Sequence, residues 1–453
     1  MVGCPGGRGP STKKMLFVLV CVALIVRIIA ISMLSDLSVT AKIWEYGSQG
    51  LCAWRNSDDL CLSYPNSENY YPSAYMPPLL SYQWLALFHL FGDGTVARAT
   101  WLCTSVAASL GCVILTYHLS LKLIPSWRIS FIAALMVAIY PTFVFVSTTY
   151  HQTNWAVFFL LAIASVAVKL AEGSNPLGWG VVGGALCGMS ILNRSEMIII
   201  GPVVLAVGAL WRHNPRRFLV VGAVGVFVMA AVLAPWWVRN YETFGRFIPV
   251  AQSQGYNLWK GYNPYTNGSG NMSEDPEGQG SRVSRKIIAD TPRGPDYEGR
   301  VQNEFSREFR KDLKDSSIAR LLNLVLSKAA LLWIFDWTDR DVTSRVGYLF
   351  PWVAINLLAM IGCLFAWHFR RSIAAAPAVI CCVTALLLTL AYTMTSVHAR
   401  YRMHIEPFIF ILAGFGVVGL WDQSTRRMRQ KVGSARGRKL RPRGGQRRIK
   451  KSR

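Results

Sequence analysis

Residues 15–34 read MLFVLVCVALIVRIIAISML, a run of 20 residues in which Arg27 carries the only charge. A helix of about 20 apolar residues is long enough to cross the hydrocarbon core of a bilayer. A removable signal peptide would have a shorter apolar stretch followed by a cleavage site of small residues, and no such site follows Leu34. The stretch therefore predicts a retained transmembrane helix, with Lys13 and Lys14 on its cytoplasmic side.

Apolar runs of similar length recur through the chain and indicate its fold class. The protein is 52% hydrophobic and 16% charged, with a mean hydropathy of +0.30, which is far from the composition of a soluble globular domain. A chain inside lipid has to satisfy its backbone polar groups internally, so these runs are expected to be helices. We predict an all-α polytopic membrane protein with about ten transmembrane helices in one domain, residues 1–425. The nine further predicted spans are 97–121, 129–149, 154–171, 178–193, 195–211, 218–237, 346–368, 374–395 and 404–421.

The formal net charge of +24 is concentrated in a C-terminal tail. Residues 426–453 contain fourteen Lys or Arg and no Asp or Glu, which predicts a cytoplasmic anchor on anionic membrane lipids. No nucleic-acid partner is expected, because interleaved aromatic residues and a folded module are missing. The short loops on the side of the tail are also basic, so both termini are predicted to be cytoplasmic in a bacterial plasma (inner) membrane, with the endoplasmic reticulum as the alternative. The basic groups are Lys13 with Lys14, Lys122 with Arg128, Lys169, Arg212 with Arg216 and Arg217, and Arg370 with Arg371.

The external loops 35–96 and 238–318 are predicted to lie on the opposite, outer face. Two apolar stretches inside them, Pro78–Phe91 and Ile318–Phe335, are predicted to be interfacial or re-entrant helices. Counting one of them as a span would move the basic tail to the wrong side, whereas a topology in which both span stays open. The stretch Tyr241–Asp315 is rich in Gly, Asn, Ser and Pro, which predicts an irregular region without a core of its own.

Cys52 and Cys61 lie together in the first polar loop, whereas most of the ten cysteines lie in apolar segments. A thiol in an apolar segment behaves as a small hydrophobic group. In an oxidising compartment Cys52 and Cys61 can form a disulfide, and in a reducing one they stay free thiols. Both alternatives remain open.

Two acidic residues follow the first predicted span and are candidates for acid-base chemistry. Asp36 is the carboxylate nearest the membrane, and apolar surroundings there would raise its pKa towards the range of a general base. Glu45 lies a little further on, in Trp44-Glu45-Tyr46-Gly47. Each also has a structural alternative, because an Asp can cap a helix and Glu45 can be an exposed residue of an interfacial helix.

Arginines at the outer ends of spans are unusual, because positive charge is disfavoured there. Arg239, Arg400 and Arg402 are predicted to surround a phosphate at the headgroup level, a task that suits the planar guanidinium. Anchoring of these side chains by snorkelling is the alternative. Arg27 is expected to snorkel outward, and Arg194 to pair with the acidic residue two positions later.

The mouth of the third and fourth predicted spans carries a small polar cluster. His151, with Gln152 and Asn154, either contacts a sugar there or belongs to an ordinary helix turn. The sequence has no phosphate-binding glycine loop, no Cys or His zinc spacing and no GxSxG elbow. These absences argue against nucleotide hydrolysis and serine hydrolase chemistry.

Four stretches carry a further signal. They are Asp36 to Gly50; Pro72-Ser73-Ala74-Tyr75-Met76-Pro77-Pro78-Leu79 followed by Leu90-Phe91-Gly92; Pro235-Trp236-Trp237-Val238-Arg239-Asn240-Tyr241 with Gly255 to Pro264; and Ala399-Arg400-Tyr401-Arg402 with Glu406-Pro407. In this order and topology the chain resembles, from end to end, the family 39-type polyprenyl- or dolichyl-phosphate-sugar glycosyltransferases, which include protein mannosyltransferases and aminoarabinose transferases.

The resemblance implies a GT-C fold and an inverting transfer of a sugar from a polyprenyl-phosphate donor to an acceptor hydroxyl on the extracytoplasmic side. The acceptor can be a lipid, a protein or a polysaccharide. A first-loop carboxylate, Asp36 or Glu45, would take the acceptor proton, and basic residues would stabilise the departing lipid phosphate. Tyr401, Asn257 and Lys260 lie in the matching stretches and would join the arginines in binding substrate.

The chain departs from the family pattern in its first loop. Asp36 is followed by Leu37 and Ser38, where the family often has an acidic pair or a tyrosine, so the choice between Asp36 and Glu45 stays open. Some relatives bind a divalent metal. No ligand set stands out in this sequence, so a divalent metal is left open and no other cofactor is expected.

Two other functions fit the same sequence features. A transporter or flippase of lipid-linked sugars would hold phosphate with the same cations and would need no general base. Its usual mark is an inverted repeat, and none is visible in the sequence. A scaffold whose basic tail recruits cytoplasmic partners is the third alternative.

Overall fold

The computed structural model describes residues 11–439 except 57–58, 64–69, 174, 212–214, 271–276, 335–344 and 369–372. For residues 345–346, 399 and 425–439 it describes the backbone but not the side chains. The predicted anchor 426–453, Arg212, Phe335 and the pair Arg370 and Arg371 therefore fall wholly or partly outside the described residues. The helices are α1 (Thr12–Leu34), α2 (Trp44–Asn56), α3 (Leu79–Phe91), α4 (Thr95–Leu123), α5 (Trp127–Ile139), α6 (Pro141–Val146), α7 (Thr153–Glu172), α8 (Pro176–Asn193), α9 (Met197–Leu210), α10 (Pro215–Phe244), α11 (Gln254–Tyr262), α12 (Gln279–Asp290), α13 (Tyr297–Asp315), α14 (Ile318–Trp333), α15 (Phe350–His368), α16 (Ala375–Thr393) and α17 (Glu406–Lys439).

Shorter regular segments complete the described chain. Strands β1 (Cys61–Ser63) and β2 (Tyr70–Pro72) pair antiparallel in the first outer loop. A π-helical turn (Arg345–Leu349) precedes α15, and a 3-10 helix (Ala399–His404) precedes α17.

Eight of the described helices are long and apolar enough to cross a membrane: α1, α4, α7, α8, α10, α15 with its preceding turn, α16 and the first part of α17. The predicted all-α polytopic membrane fold is confirmed. α7 lies at the centre of the bundle and is the most deeply buried of the eight. A ninth span results if α13 and α14, which are bent by 116° at their junction, are counted as one crossing.

The single helix predicted over 129–149 is wrong. α5 ends at Ile139, and Tyr140 is extended, with φ −65° and ψ 131°, before the short helix α6 begins at Pro141. Proline restricts the preceding residue to extended conformations and has no N–H to continue a helix, so the interruption follows from the sequence. The span predicted over 195–211 is likewise short in the structure, because α9 has 14 residues and is about 21 Å long.

Arg27 explains how the interrupted helix is tolerated. Its side chain is fully buried and does not snorkel outward as predicted. Its guanidinium donates to the backbone oxygens of Ala138, at 2.7 Å, and Val137, at 3.3 Å, and to Ser109 Oγ at 2.9 Å. The last carbonyls of a helix have no partner within the helix, so Arg27 satisfies those of α5 in the middle of the bundle.

The outer region of the chain is more regular than the predicted irregular loop. Within Tyr241–Asp315 it forms α11, α12 and α13, and Trp259, Val301 and Phe305 pack with Tyr71 of β2 in a small hydrophobic cluster. The prediction of an irregular region is therefore wrong, whereas the small cluster is shared with the first polar loop. The spacing Val301, Phe305, Phe309 on α13 is the periodicity of an amphipathic helix, which the many charges around it obscure.

A disulfide and a buried carboxylate fasten the two outer loops. Cys52 and Cys61 are paired, which resolves the alternatives that the sequence left open. Glu298 of α13, almost completely buried, accepts hydrogen bonds from Ser73 Oγ at 2.6 Å and from the Ala74 N–H at 3.0 Å. The two polar loops, 35–96 and 238–318, are thus joined by buried contacts.

Candidate active site

Four segments from distant parts of the chain meet at one end of the helix bundle. They are the start of α2, the turn between α6 and α7, the turn between α8 and α9, and the 3-10 helix before α17. The ring centroids of Trp44 and His151 lie 5.6 Å apart in an edge-on contact, and the guanidinium carbon of Arg400 lies 5.6 Å from the centre of the Trp44 ring. Arg194 lies 4.9 Å from the centre of the Tyr401 ring. The structure therefore brings His151, Arg400 and Tyr401 together.

Trp44 has a strained backbone at the start of α2. Its φ is 56°, a region that bulky side chains avoid. The ammonium of Lys42 lies 3.9 Å from the centre of its ring, so two cations, Lys42 and Arg400, share one indole. Strain of this kind is held in place by the surrounding packing and is concentrated at ligand-binding and catalytic sites.

Arg400 has a partly buried guanidinium without an ion pair among the described residues. Its side chain is half-buried, and its Nε is buried without a hydrogen-bond partner. Among the described residues no carboxylate lies within ion-pair distance of it. A desolvated guanidinium is costly unless an anion compensates it, so this position suits a negatively charged ligand.

Three buried histidines surround the arginines. Burial lowers the pKa of His151 and of His398 well below the ordinary value, and the charge of Arg400 lowers both further. Burial also lowers the pKa of His404 to about 3, with Arg194 contributing. The imidazoles are therefore neutral at pH 7 and can act as hydrogen-bonding groups. The fixed positive charge beside them favours an anion in the site.

Arg402 is held inside the protein and is not placed with the phosphate-facing cations that the sequence predicted. Its Nε lies 3.1 Å from Glu406 Oε1, and both side chains are buried. Its guanidinium carbon lies 4.3 Å from the centre of the Trp352 ring. The geometry therefore gives Arg402 a structural role in attaching the 3-10 helix to α17.

Arg239 is also fully occupied by protein groups. Its Nε and Nη2 each lie 2.9 Å from a carboxylate oxygen of Asp59, and Nη2 also donates to the backbone oxygen of Leu60 at 2.9 Å. Its Nη1 donates to the backbone oxygen of Ser73 and to Asn240 Oδ1, both at 3.1 Å. With all five N–H groups used, Arg239 clamps the end of α10 to the first outer loop.

Asp36 is exposed and engaged locally. Its carboxylate accepts the backbone N–H of Ser38 at 2.9 Å, and hydrogen bonding to Ser38 lowers its pKa. The expected rise in the pKa is wrong, because hydrogen bonds from Ser38 stabilise the carboxylate more than partial desolvation destabilises it. The backbone oxygen of Asp36 accepts the hydroxyl of Tyr150, which precedes His151, so Asp36 lies at the edge of the group.

Glu45 is the second residue of α2 and directly follows Trp44. Its side chain is exposed. Burial raises the pKa of neighbouring Tyr46 well above the ordinary value. The positive charge of Arg194 opposes this rise, whereas the negative charges of Glu45 and Glu196 add to it. Glu45 therefore lies close enough to act on the same phenol as the Arg194–Glu196 pair.

The remaining predicted residues divide between the site and the surface. The charge of Lys260 on α11 contributes to the low pKa of His398, which places it at the edge of the group. Asn257 is exposed, and its Nδ2 lies 3.3 Å from Ser253 Oγ of its own helix. The structure does not bring Asn257 into contact with the arginines of the described site.

Sequence reasoning missed some members of the group and misjudged others. Trp44 stands in a quoted motif and His398 directly precedes one, but neither was predicted as a site residue. The only available signal for His398 is the density of His and Arg in the segment before α17. The predicted local pairing of Arg194 with Glu196 is confirmed. Asn154 is buried and donates to two serine hydroxyls at 3.0 Å, which fits the alternative of a structural turn.

The described residues do not offer a site for a divalent metal. No group of three or more His, Cys, Asp or Glu side chains within them has an arrangement that could hold a metal ion. Asp36 is engaged with Ser38, and Glu45 has no second carboxylate identified beside it.

Similarity to known proteins is found in structure and not in sequence. No protein-family model and no curated protein matches the chain. The crystal structure of the Archaeoglobus fulgidus oligosaccharyltransferase in the apo form matches with a TM-score of 0.55 at 14% identity, over 92% of this chain and 52% of that one. The fold is GT-C-like.

Further solved structures match as well. One is the archaeal oligosaccharyltransferase AglB from Archaeoglobus fulgidus in complex with an inhibitory peptide and a dolichol-phosphate. It matches with a TM-score of 0.55 at 15% identity, over 95% of this chain and 52% of that one. ArnT from Cupriavidus metallidurans bound to undecaprenyl phosphate has a TM-score of 0.43 at 14% identity, with 90% and 78% covered. The chain spans about half the length of the archaeal oligosaccharyltransferase, and at these identities the likeness shows the fold alone.

Proposed function

We propose that this protein is a membrane glycosyltransferase that moves a sugar from a polyprenyl-phosphate donor to an acceptor hydroxyl, with inversion at the anomeric carbon. The observation that carries the proposal is Arg400, a half-buried cation beside the neutral imidazoles of His151 and His398. No carboxylate of the described residues lies within ion-pair distance of it. A GT-C-like fold supports it, because the matching archaeal oligosaccharyltransferase is described with a dolichol-phosphate bound. The acceptor class, whether lipid, protein or polysaccharide, is left open.

The site is proposed to face the extracytoplasmic side of a bacterial plasma membrane, with both termini in the cytoplasm. Two features at opposite ends of α1 support this orientation. Lys13 and Lys14 precede its apolar stretch, as expected of a cytoplasmic end. The Cys52–Cys61 disulfide lies in the loop beyond its other end, and disulfides persist in oxidising compartments.

Glu45 is the preferred general base, and Asp36 is the alternative. The charge of Glu45 acts on the phenol of Tyr46, as does that of Arg194, so the carboxylate lies near the cations of the site. Asp36 is held by Ser38, and its lowered pKa makes it a weaker base.

In the proposed reaction the carboxylate of Glu45 accepts the proton of the acceptor hydroxyl as the oxygen attacks the anomeric carbon. The new glycosidic C–O bond forms while the bond from the anomeric carbon to the phosphate oxygen breaks. The phosphate leaves with the electron pair, and its charge changes from one negative to two. Arg400 stabilises this added charge more strongly in the transition state than in the donor, which is the requirement for catalysis.

The test is transfer of radiolabelled sugar in purified membranes from a panel of polyprenyl-phosphate sugars. Glu45→Gln is expected to lower transfer by about 100-fold or more while polyprenyl-phosphate binding persists, because only the proton acceptor is removed. Asp36→Asn is expected to retain most activity. Glu304→Gln, a change in a surface ion pair of α13, is the matched control and should behave like wild type.

Two outcomes would contradict the proposal. If Asp36→Asn abolishes transfer and Glu45→Gln does not, Asp36 is the base. If wild type transfers sugar from none of the donors but moves lipid-linked sugar between leaflets, the protein is a transporter and the enzyme assignment is lost.

A further inference from the structure

Helix α14 buries a charge and exposes its aliphatic residues. Ile318, Leu322 and Leu326 follow one another at four-residue spacing and are 77%, 60% and 67% exposed. On the opposite side Lys328 is completely buried, together with Leu324 and Leu331. A helix with an aliphatic outer stripe in a membrane protein faces lipid, and a charged residue turned inward from such a helix is expected to serve a function.

Lys328 has no anionic partner among the described residues. Its Nζ is buried without a hydrogen-bond partner, and it lies 3.5 Å from the centre of the Tyr262 ring. That ring face supplies partial compensation for the charge. The nearby Arg320 adds a second positive charge and donates to the backbone oxygen of Asn263 at 2.6 Å.

A short loop separates Lys328 from the candidate active site. Gly268 has φ 91°, and a side chain there would lie 2.7 Å from Lys328 Cγ, so the glycine allows the lysine stem to pass directly against the backbone. The same loop pairs with the segment that precedes the 3-10 helix, because the Val397 N–H donates to the oxygen of Gly268 at 2.9 Å. On its other side, Gly270 packs against the ring of His398.

These contacts order the groups from lipid to reaction centre. The aliphatic stripe of α14 comes first, then Lys328, then the Gly268–Gly270 loop, and then His398 with Arg400 two residues later in the chain. A phosphate attached to an apolar chain would meet the charges in the same order, since its chain stays in the bilayer. The ammonium of a lysine is a point charge on a flexible stem and can leave the Tyr262 ring to follow such a ligand.

We propose that Lys328 binds the phosphate monoester of the lipid carrier at a second position between the bilayer and the Arg400 site, on the path of carrier entry or departure. The proposal rests on the proposed function only for the identity of the ligand. The chemistry that Lys328 would recognise is a phosphate anion with a terminal PO3 group, which a lipid monophosphate and free inorganic phosphate share. The aliphatic stripe favours the lipid-borne one.

The test uses the full chain in lipid nanodiscs, with a long-chain polyprenyl monophosphate and inorganic phosphate as probes. Lys328→Met is expected to weaken polyprenyl monophosphate binding by about tenfold, the effect of losing one charge-assisted contact. Its affinity for inorganic phosphate is expected to stay the same. Lys328→Arg keeps the charge and should bind the lipid within about threefold of wild type. Lys314→Met on the exposed surface of α13 is the matched control.

Thermal unfolding separates this role from a structural one. Replacing a buried ammonium that lacks a counter-ion with an apolar side chain of similar size should leave the midpoint unchanged or raise it. A lower midpoint with unchanged lipid affinity would make Lys328 a structural residue and overturn the proposal. Unchanged affinity at any midpoint, or an equal loss for inorganic phosphate, would overturn it as well.

If Lys328→Met does not fold, the affinities of Lys328→Gln for polyprenyl monophosphate and inorganic phosphate are measured instead and judged in the same way. Failure of the proposed function gives a different result from failure of this site. A protein that transfers no sugar, but whose lipid affinity still depends on Lys328, would refute the enzyme and retain the binding site. If wild type transfers sugar and Lys328→Met keeps the lipid affinity of wild type, the enzyme assignment is retained and the binding site at Lys328 is refuted.

Discussion

Arg400 and Arg402 are two residues apart, and the structure predicts opposite consequences for their replacement by methionine. Arg400 has no ion pair among the described residues, and its guanidinium contacts the rings of Trp44 and Tyr401. Cation–π contacts of this kind contribute about 0.5–1 kcal/mol. Arg400→Met should therefore change thermal stability little. If Arg400 holds the phosphate, the loss of charge-assisted contacts worth about 1.5–3 kcal/mol corresponds to roughly 10- to 100-fold weaker binding.

Arg402→Met should have the reverse effect. It leaves Glu406 without its partner at a fully buried position, and breaking a buried ion pair in this way costs about 3–5 kcal/mol. The unfolding midpoint should fall clearly, whereas phosphate binding by the protein that remains folded should change little. Adding Glu406→Gln to Arg402→Met removes the orphaned carboxylate and should recover part of the midpoint.

The assay is binding of polyprenyl monophosphate and thermal unfolding on the same purified samples. The double variant serves as the control for stability, and Arg400→Lys as the control for charge. A large loss of stability in Arg400→Met with unchanged binding would refute the assignment of Arg400 to the ligand. A stable Arg402→Met that has lost binding would show that the two roles are exchanged.

Three further predictions concern stability in detergent. Thermal stability should fall as the pH drops below about 6.5, because His404 takes up a proton there in the unfolded protein while its pKa in the folded protein is about 3. At pH 5 this difference costs about 2 kcal/mol, and His404→Phe should flatten the dependence of the unfolding midpoint on pH. Arg27→Leu should lower the free energy of unfolding by about 2–4 kcal/mol, because it leaves the last carbonyls of α5 without donors inside the bundle. An unchanged unfolding midpoint would refute the capping role. Replacing Cys52 and Cys61 with serine should cost about 2.5 kcal/mol, as expected for closing a loop of this length, and a reducing agent should shift wild type to the midpoint of the double variant.

The helical membrane fold was predictable because lipid leaves a chain few alternatives. Apolar runs long enough to span become helices whatever their detailed sequence. Pro141 also indicates the interruption at Tyr140, but an average of hydrophobicity over 20 residues does not detect a single proline. The helices of the second outer loop were missed for a related reason. On α13 the apolar residues Val301, Phe305 and Phe309 stand among many charges, so low average hydrophobicity hides a regular period.

The candidate site was predictable in its composition and not in its assignments. The first loop, the turn before α7 and the segment before α17 do meet, as their polar residues at span ends suggested. What sequence could not supply is the direction of each side chain. Arg400 and Arg402 share one short 3-10 helix, in which residues two apart point to different sides.

The three arginines predicted to surround a phosphate can now be sorted by the location of their counter-ions. Arg402 has Glu406 four residues away, a pairing that the sequence alone could have suggested. Arg239 has Asp59, which is 180 residues away along the chain, so only the fold could show that this guanidinium is occupied.

Arg400 and Lys328 have no such partner among the described residues, and they lie on opposite sides of the Gly268–Gly270 loop. Lys328 is fully buried and Arg400 is half-buried, and a charge removed from water is costly unless an anion compensates it. We therefore expect a ligand to supply the negative charge. The aliphatic outer face of α14 beside Lys328 is the reason to expect it on a lipid.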